Sequence, residues 1–190
     1  MRVRDTAGAG VPDVPVVVRF GPGQTQRSGT TNSSGFVNFV QIHGDYTVTA
    51  TVPGISGYSA SASGTITVNA VTVDVNLTLP PTGRISGRVV KTDGSTLPAN
   101  LGFVQLSTRF GPQYAYPGAD GTFSFPLVPV GSYLLKASES SGTLFAFDEG
   151  HVDAAENQAV ELVLDDVPLP RELRDGNNES FLAQEQLQVG

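Results

Sequence analysis

The sequence predicts an all-β protein made of two tandem β-sandwiches and an extended C-terminal tail. Turn formers are frequent, with 22 Gly and 13 Pro among 190 residues, and the segments between them are rich in Val, Thr and Ser. Two units of about 95 residues would each match the size of a small sandwich of ~100 residues. An internal repeat with a nearly constant offset favours two such units over one large domain.

The repeat is clearest where a strand, a short connection and a second strand occur twice. In the second copy, Phe123 and Phe125 alternate with polar residues, and a connection rich in Pro and Gly leads to the next strand at 132–137. The separations between matching residues are 86 for Gly8 and Gly94, 86 for Phe39 and Phe125, 87 for Tyr46 and Tyr133, and 90 for Phe20 and Phe110. A tandem duplication with small changes in the loops gives this pattern.

We therefore expect a first sandwich over 1–80, a second over 82–165 and a tail over 166–190, with Pro80-Pro81 as a short, stiff linker. The strands expected in the first repeat cover 2–5, 14–20, 28–32, 35–40, 45–51, 65–68 and 71–79, with 55–64 as a loop or edge. Those expected in the second cover 83–90, 102–108, 114–116, 122–125, 132–137, 143–147 and 159–164. Alternation predicts a continuous apolar face formed by Val71, Val73, Val75, Leu77 and Leu79. The same reasoning places Phe145 and Phe147 in the core.

The tail differs in composition from both repeats. Phe181–Val189 is consistent with a strand that carries Phe181, Ala183, Leu187 and Val189 on one face, or with a short helix. Because the first repeat lacks part of its opening strand, we expect Met1 to be a boundary within something larger. A spare strand in the tail and an incomplete first repeat together suggest that the tail donates a strand to a neighbouring subunit.

Composition excludes several classes of function. The chain has no cysteine, so disulfides and thiolate metal sites are excluded. A net charge of -7, without a basic cluster, argues against nucleic acid as a partner, and no apolar run approaches the ~20 residues of a membrane span. His43 and His151 have no neighbouring ligand at metal-site spacing, and no nucleophile motif is present. We therefore predict a non-enzymatic protein without a metal or another cofactor.

Acidic residues are concentrated after the strand expected at 143–147. Asp148, Glu149, Asp153 and Glu156 are expected to lie in one loop and could offer oxygen ligands to Ca²⁺. Their spacing matches no known calcium loop, so we expect a solvated acidic loop. The carboxylates of Asp93 and Asp120 are explained by Asp-Gly turns.

Residues 82–164 resemble carboxypeptidase regulatory-like domains, which are also described as transthyretin-like or prealbumin-like sandwiches. The residues that carry this resemblance are Ile85–Val89, Asp93-Gly94, Asp120–Phe125 and Pro129–Tyr133. The first repeat resembles the same family or the bacterial Ig-like domains of invasin- and intimin-type adhesins, through Val3, Asp5, Gly8, Val16–Phe20, Thr30-Thr31, Gly35 and Tyr46–Ala50. The resemblance implies a spacer, stalk or accessory module of a secreted or surface protein, here a stalk, adhesin or filament subunit at the bacterial cell surface.

The best binding candidate is the aromatic stretch that follows the strand at 102–108. Phe110, Tyr114 and Tyr116 lie close together in sequence, and aromatic rings can stack on the apolar face of a sugar. The alternative is a contact between domains or subunits, or simple packing within the sandwich. The expected partners are accordingly other copies of the chain or neighbouring modules, with a glycan as the alternative.

Overall fold

The computed structural model describes residues 1–40, 42–67, 72–96 and 102–165, and these residues form an all-β protein, which confirms the predicted fold class. The first sandwich contains β1 (Arg2–Arg4), β2 (Pro15–Phe20), β3 (Thr25–Thr30), β4 (Gly44–Thr51), β5 (Ser59–Ile66) and β6 (Asn76–Thr78). The second contains β7 (Thr82–Lys91), β8 (Gly102–Thr108), β9 (Gly111–Ala115), β10 (Thr122–Pro129), β11 (Gly131–Glu139), β12 (Phe145–Val152) and β13 (Asn157–Leu164).

Each sandwich packs a four-stranded antiparallel sheet against a smaller sheet. The large sheets have the strand orders β3-β2-β4-β5 and β12-β11-β8-β9. The smaller sheets are the pair β1-β6 and the triple β10-β7-β13, and both contain a parallel pairing, β1 with β6 and β7 with β13. The first and last strands of each sandwich are therefore neighbours.

Two separate hydrophobic cores lie between the sheets. In β2, Val16, Val18 and Phe20 are buried while the residues between them are more exposed, which is the alternation expected of a half-buried strand. The second core is filled from β7, β8, β10, β11 and β13; its fully buried side chains include Ile85, Val104, Leu106, Leu135, Leu162 and Leu164. Every large side chain in these cores is aliphatic or aromatic, so packing between sheets stabilises each sandwich.

The Asp-Gly turns form as predicted. Oδ1 of Asp93 accepts hydrogen bonds from the backbone N and the hydroxyl of Ser95, and Oδ1 of Asp120 accepts the same pair from Thr122. These hydrogen bonds hold the pKa of both carboxyls below the usual value. Gly94 and Gly121 follow with φ of 79° and 78°, a conformation that glycine adopts without strain.

Several predicted strands differ from the structure. The strand expected over 35–40 is wrong, because only Phe36 forms a bridge there, to Arg2, and 37–40 lie outside any strand. The continuous apolar face at 71–79 is also wrong for the part that the structure describes, since Leu77 and Leu79 are buried whereas Val73 is exposed. The loop or edge at 55–64 resolves into the edge strand β5, and β10 runs on to Pro129 through an irregularity in its pairing with β7.

A tyrosine packs over a glycine at the same place in both sandwiches. Tyr46 is opposite Gly64 in the β4–β5 pair, and Tyr133 is opposite Gly150 in the β11–β12 pair. A Cβ added to Gly64 would lie 2.6 Å from Oη of Tyr46, and one added to Gly150 would lie 2.7 Å from Oη of Tyr133. The ring therefore occupies the space that any other residue would need for its side chain.

We expect Gly150→Ala and Gly64→Ala each to destabilise the protein by about 1–3 kcal/mol, because the added methyl forces the tyrosine ring out of its position. Denaturant unfolding measures the loss. Gly23→Ala is the matched control, since Gly23 has no atom within 4 Å of an added Cβ and has no positive φ. Equal stability of Gly150→Ala and Gly23→Ala would contradict the packing role.

The Tyr133 hydroxyl donates a hydrogen bond of 3.1 Å to Oδ2 of Asp148, and burial together with this carboxylate raises the pKa of Tyr133 to about 12. Because the folded pKa lies above the usual value of 10, the stabilisation is complete below pH 10 and decreases as the pH rises towards 12. Between these values the unfolding free energy should decrease by about 1.4 kcal/mol per pH unit more in the native chain than in Tyr133→Phe. Parallel pH dependences for the two proteins would disprove the assignment.

Candidate functional site

Phe110, the first residue of the predicted binding stretch, packs against the other sandwich. It lies in the turn between β8 and β9, and its ring centroid is 4.5 Å from that of Tyr58 at an interplanar angle of 48°. Phe110 is partly buried against the first core. The Arg109 guanidinium also contacts this ring, 4.7 Å from its centroid. Phe110 therefore makes a contact between the two sandwiches, which was the alternative to a ligand contact.

Tyr58 is the residue that makes this contact possible, and sequence reasoning missed it. It belongs to the first core and is 7% exposed, and its hydroxyl donates a hydrogen bond to the carbonyl of Pro81 in the linker. Leu127 from β10 also packs against the first core. We call Tyr58, Pro81, Phe110 and Leu127 the junction. They join the end of the first sandwich, the linker and two segments of the second.

Tyr114 and Tyr116 are separated from Phe110. Tyr114 lies near the far end of the edge strand β9 and Tyr116 follows that strand, with 56% and 70% of their surface exposed. Four residues of strand at ~3.3 Å each separate Phe110 from Tyr114 by roughly 13 Å, so the three aromatic residues do not form one site.

Tyr114 and Tyr116 instead belong to a row of aromatic side chains on the outer side of the β12-β11-β8-β9 sheet. We call this surface the aromatic face; its members are Phe103, Tyr114, Tyr116, Phe145 and Phe147. The Phe103 and Tyr114 ring centroids are 6.0 Å apart. Lys136 and Gln105 lie between the two aromatic edges, and Nζ of Lys136 lies 5.2 Å from the Phe145 ring centroid. The rings could stack on a flat ligand, and Gln105 and Lys136 between them could hydrogen-bond to it.

The core placement expected for Phe145 and Phe147 is wrong. Ala146 and Val152 of β12 are buried, and Phe147 is exposed. The predicted alternation is present, but its phase is reversed. Tyr133 fixes this phase, because Gly150 must face inwards beneath the tyrosine ring.

The acidic loop expected after Phe147 is also wrong, because Asp148 and Glu149 lie within β12. Asp148 binds the Tyr133 hydroxyl, Asp153 lies 3.6 Å from Nε2 of His151, and Oε2 of Glu156 accepts a hydrogen bond from the Asp153 backbone. Within the described ranges, no three His, Asp or Glu side chains are grouped so that they could hold a metal ion.

Three further findings concern other parts of the chain. The proposed donor strand, Phe181–Val189, lies outside the described residues. His43 lies with its ring centroid 6.4 Å from that of Phe20, near the first core. As far as the structure describes the chain, it contains no helix with the length and hydrophobicity to span a bilayer.

No family model matches the chain, and no curated protein matches it. Among solved structures, it is similar to a DUF3823 family protein from Parabacteroides merdae, with 22% identity and a TM-score of 0.38, over 46% of this chain and 47% of that one. It is also similar to the minor pilin GBS52 of Streptococcus agalactiae (16% identity, TM-score 0.45, 85% and 87% of the two chains).

A third similar structure is the shaft pilin SpaA of Lactobacillus rhamnosus GG, with 10% identity, a TM-score of 0.41, and 89% and 97% of the two chains covered. The chain spans less than half the length of the DUF3823 protein and 33% of the Bacillus anthracis TIE protein. These TM-scores are all below 0.5, too low to transfer a function or a partner.

The junction predicts a long-range effect of Phe110→Ala on the first sandwich. In the first sandwich, the Val52 amide donates to the Tyr58 carbonyl and the Tyr58 amide donates to the Ile55 carbonyl. Because removing the Phe110 ring exposes Tyr58, we expect hydrogen exchange at these two amides to accelerate by the equivalent of about 1 kcal/mol. Tyr116→Ala, which removes an exposed ring from the same stretch, serves as the control and should leave these amides unchanged. Unaltered exchange in Phe110→Ala would show that the junction contributes nothing to the first sandwich.

Proposed function

We propose that the chain is a non-enzymatic structural segment of an extracellular bacterial surface protein, such as a stalk, an adhesin or a filament subunit. The two sandwiches, residues 1–80 and 82–165, are held at a fixed spacing. The observation that carries this proposal is the junction, in which Tyr58 and Phe110 stack across the linker at 4.5 Å. The resemblance of 82–164 to carboxypeptidase regulatory-like modules is compatible with this role.

The chemistry of the linker supports stiffness. Pro80 and Pro81 have fixed φ values, and the Pro81 carbonyl is held by the Tyr58 hydroxyl. Bending at the linker would have to break this hydrogen bond and expose the rings of Tyr58 and Phe110 to water. A hinge that is closed in this way keeps the two sandwiches at a constant separation, as a spacer requires.

The strand order also supports a load-bearing role. β7 begins the second sandwich, β13 ends it, and the two strands run parallel with eight paired residues, from Arg84 with Asn157 to Lys91 with Leu164. Tension on the chain therefore acts at opposite ends of two adjacent parallel strands. Such loading shears all the backbone hydrogen bonds of the pair together, whereas an antiparallel hairpin pulled at its open end loses them one at a time.

Single-molecule pulling tests this role, and the absence of cysteine allows handles to be placed at will. With handles at Thr82→Cys and Asp165→Cys the second sandwich should unfold at a higher force than with handles at Ser132→Cys and His151→Cys. The latter residues are directly opposite in the β11–β12 hairpin, so pulling them apart peels β12 away. Equal unfolding forces in the two geometries would argue against a load-bearing module.

Strand addition is the assembly mechanism that fits this proposal. The donor would be Phe181–Val189 of the tail, with Phe181, Ala183, Leu187 and Val189 on the side facing the acceptor. A donor at one end of the chain and an acceptor at the other would join copies head to tail into an open filament.

The aromatic face favours a second candidate function, a carbohydrate-binding accessory module of a secreted hydrolase. Tyr114 and Tyr116 offer exposed rings beside the polar Gln105 and Lys136. If this function is correct, Tyr114→Ala and Tyr116→Ala should each abolish binding on a glycan array. Phe36→Ala, an exposed ring of the first sandwich, is the matched control. An array on which the native chain binds no glycan would eliminate this candidate.

A further inference from the structure

The outer sides of the two large sheets have the same backbone frame and different side chains. The pairs Tyr46–Gly64 and Tyr133–Gly150 align one sheet with the other. At the same distance from these pairs, a row of four neighbouring residues crosses each sheet. The row consists of Ser28, Val17, Thr49 and Ser61 in the first sandwich, and of Tyr114, Gln105, Lys136 and Phe147 in the second. The two rows can therefore be compared position by position.

The sandwich frame does not require the aromatic rings of the second row. Where Tyr114 and Phe147 stand in the second sheet, the first sheet forms the same pairings with Ser28 and Ser61. In the first row, Oγ1 of Thr49 and Oγ of Ser61 form a hydrogen bond of 3.0 Å. The rings of Tyr114 and Phe147 are instead exposed and add nothing to the core. Exposed apolar rings that the fold can do without indicate an interaction surface.

Lys136 gives the second row a positive charge where the first row has the neutral Thr49. Its Nζ lies 5.2 Å from the Phe145 ring centroid, and among the described residues no carboxylate oxygen lies within 4.0 Å of it. Glu149 is on the same side of the sheet, one row further along, opposite Leu134. A cation that is flanked by rings and has no carboxylate partner in the described part of the chain is complementary to an anionic ligand.

Gln105 places an oriented amide beside this cation. Its Nε2 donates a hydrogen bond of 3.1 Å to Oγ of Ser107, which fixes the plane of the amide. The oxygen Oε1 of the same amide can accept a hydrogen bond from a hydroxyl group of a ligand. The row thus presents a ring, an amide, a cation and a second ring. It extends over about 14 Å, which is three strand spacings of ~4.8 Å.

We propose that this row binds an acidic oligosaccharide, a chain of uronic acid residues that lies across the strands. Tyr114 and Phe147 stack on the apolar faces of two sugar rings. Lys136 donates to a carboxylate of the sugar, and Gln105 accepts from a hydroxyl group. Because a sugar ring is about as long as one strand spacing, the row holds about four sugars. The inference rests on the second candidate function, carbohydrate binding, and names the ligand class of the aromatic face.

The combination of groups in the row favours a sugar acid over an acidic peptide. A uronic acid carries an apolar C–H face, hydroxyl groups and a carboxylate on one rigid ring, so a single type of building block matches every member of the row. The carboxylate of an acidic peptide is on a flexible side chain, which loses conformational entropy on binding and brings no apolar face to the two rings.

Tetramannuronate and mannotetraose are a matched pair of probes, because these β-1,4-linked chains differ only in the carboxylate that replaces a hydroxymethyl group on each ring. Calorimetry with the full chain should give roughly tenfold tighter binding of tetramannuronate. Lys136→Thr should remove this difference and leave the affinity for mannotetraose unchanged. Phe147→Ser and Tyr114→Ser should each weaken the binding of both probes by about fivefold or more.

These substitutions introduce the residues that the first sandwich has at the matching positions, so the variants should keep the native unfolding temperature. Val163→Ser is the control. It removes a similarly exposed side chain from β13, in the other sheet of the same sandwich, and should leave both affinities unchanged.

Equal affinities of the native chain for tetramannuronate and mannotetraose would overturn the acidic ligand while leaving carbohydrate binding in place. Failure to bind tetramers of mannuronate, guluronate, galacturonate and glucuronate would also overturn it, and the glycan array then shows separately whether the chain binds neutral sugars. A tetraglutamate peptide that binds as tightly as tetramannuronate, with the same dependence on Lys136, would assign the face to an acidic protein segment instead. Self-association that is lost in Phe147→Ser would assign it to a second copy of the chain.

Discussion

The side chain of Tyr58 connects the two halves of this protein. Its ring is part of the first core and stacks on Phe110 of the second sandwich, while its hydroxyl binds the linker at Pro81. A single amphipathic residue therefore combines burial, ring packing and a hydrogen bond at the one place where a tandem protein would otherwise bend. The spacing of the two sandwiches, and with it the proposed spacer function, depends on this contact.

The two sandwiches share a frame and differ where function is expected. The tyrosine over a glycine, the bridges of the small sheet and the parallel pairing of terminal strands occur in both. The first sandwich has three paired residues where the second has eight, and the second carries the aromatic face. The shared pairings support both sandwiches in the same way, and the side chains on their outer surfaces differ.

Alternation with a period of two residues and turns rich in glycine made the fold class and most strands predictable, because both are local properties. The phase of β12 was not predictable in this way. Phe145 and Phe147 look like core residues until the contact between Tyr133 and Gly150 is known, and that contact joins two strands. The same limit applies to 37–40, which alternate like a strand and lie outside any strand, and to Tyr58, whose role depends on a residue 52 positions away.

A fixed spacing requires that the two sandwiches move as one body, with the junction preventing rotation at the linker. Residual dipolar couplings from the amides of β2 and β4 in the first sandwich and of β8 and β11 in the second test it most directly. One alignment tensor should fit both sets in the native chain, and Tyr58→Ala combined with Phe110→Ala should require two. Two unrelated tensors in the native chain would show that the junction does not hold the sandwiches together.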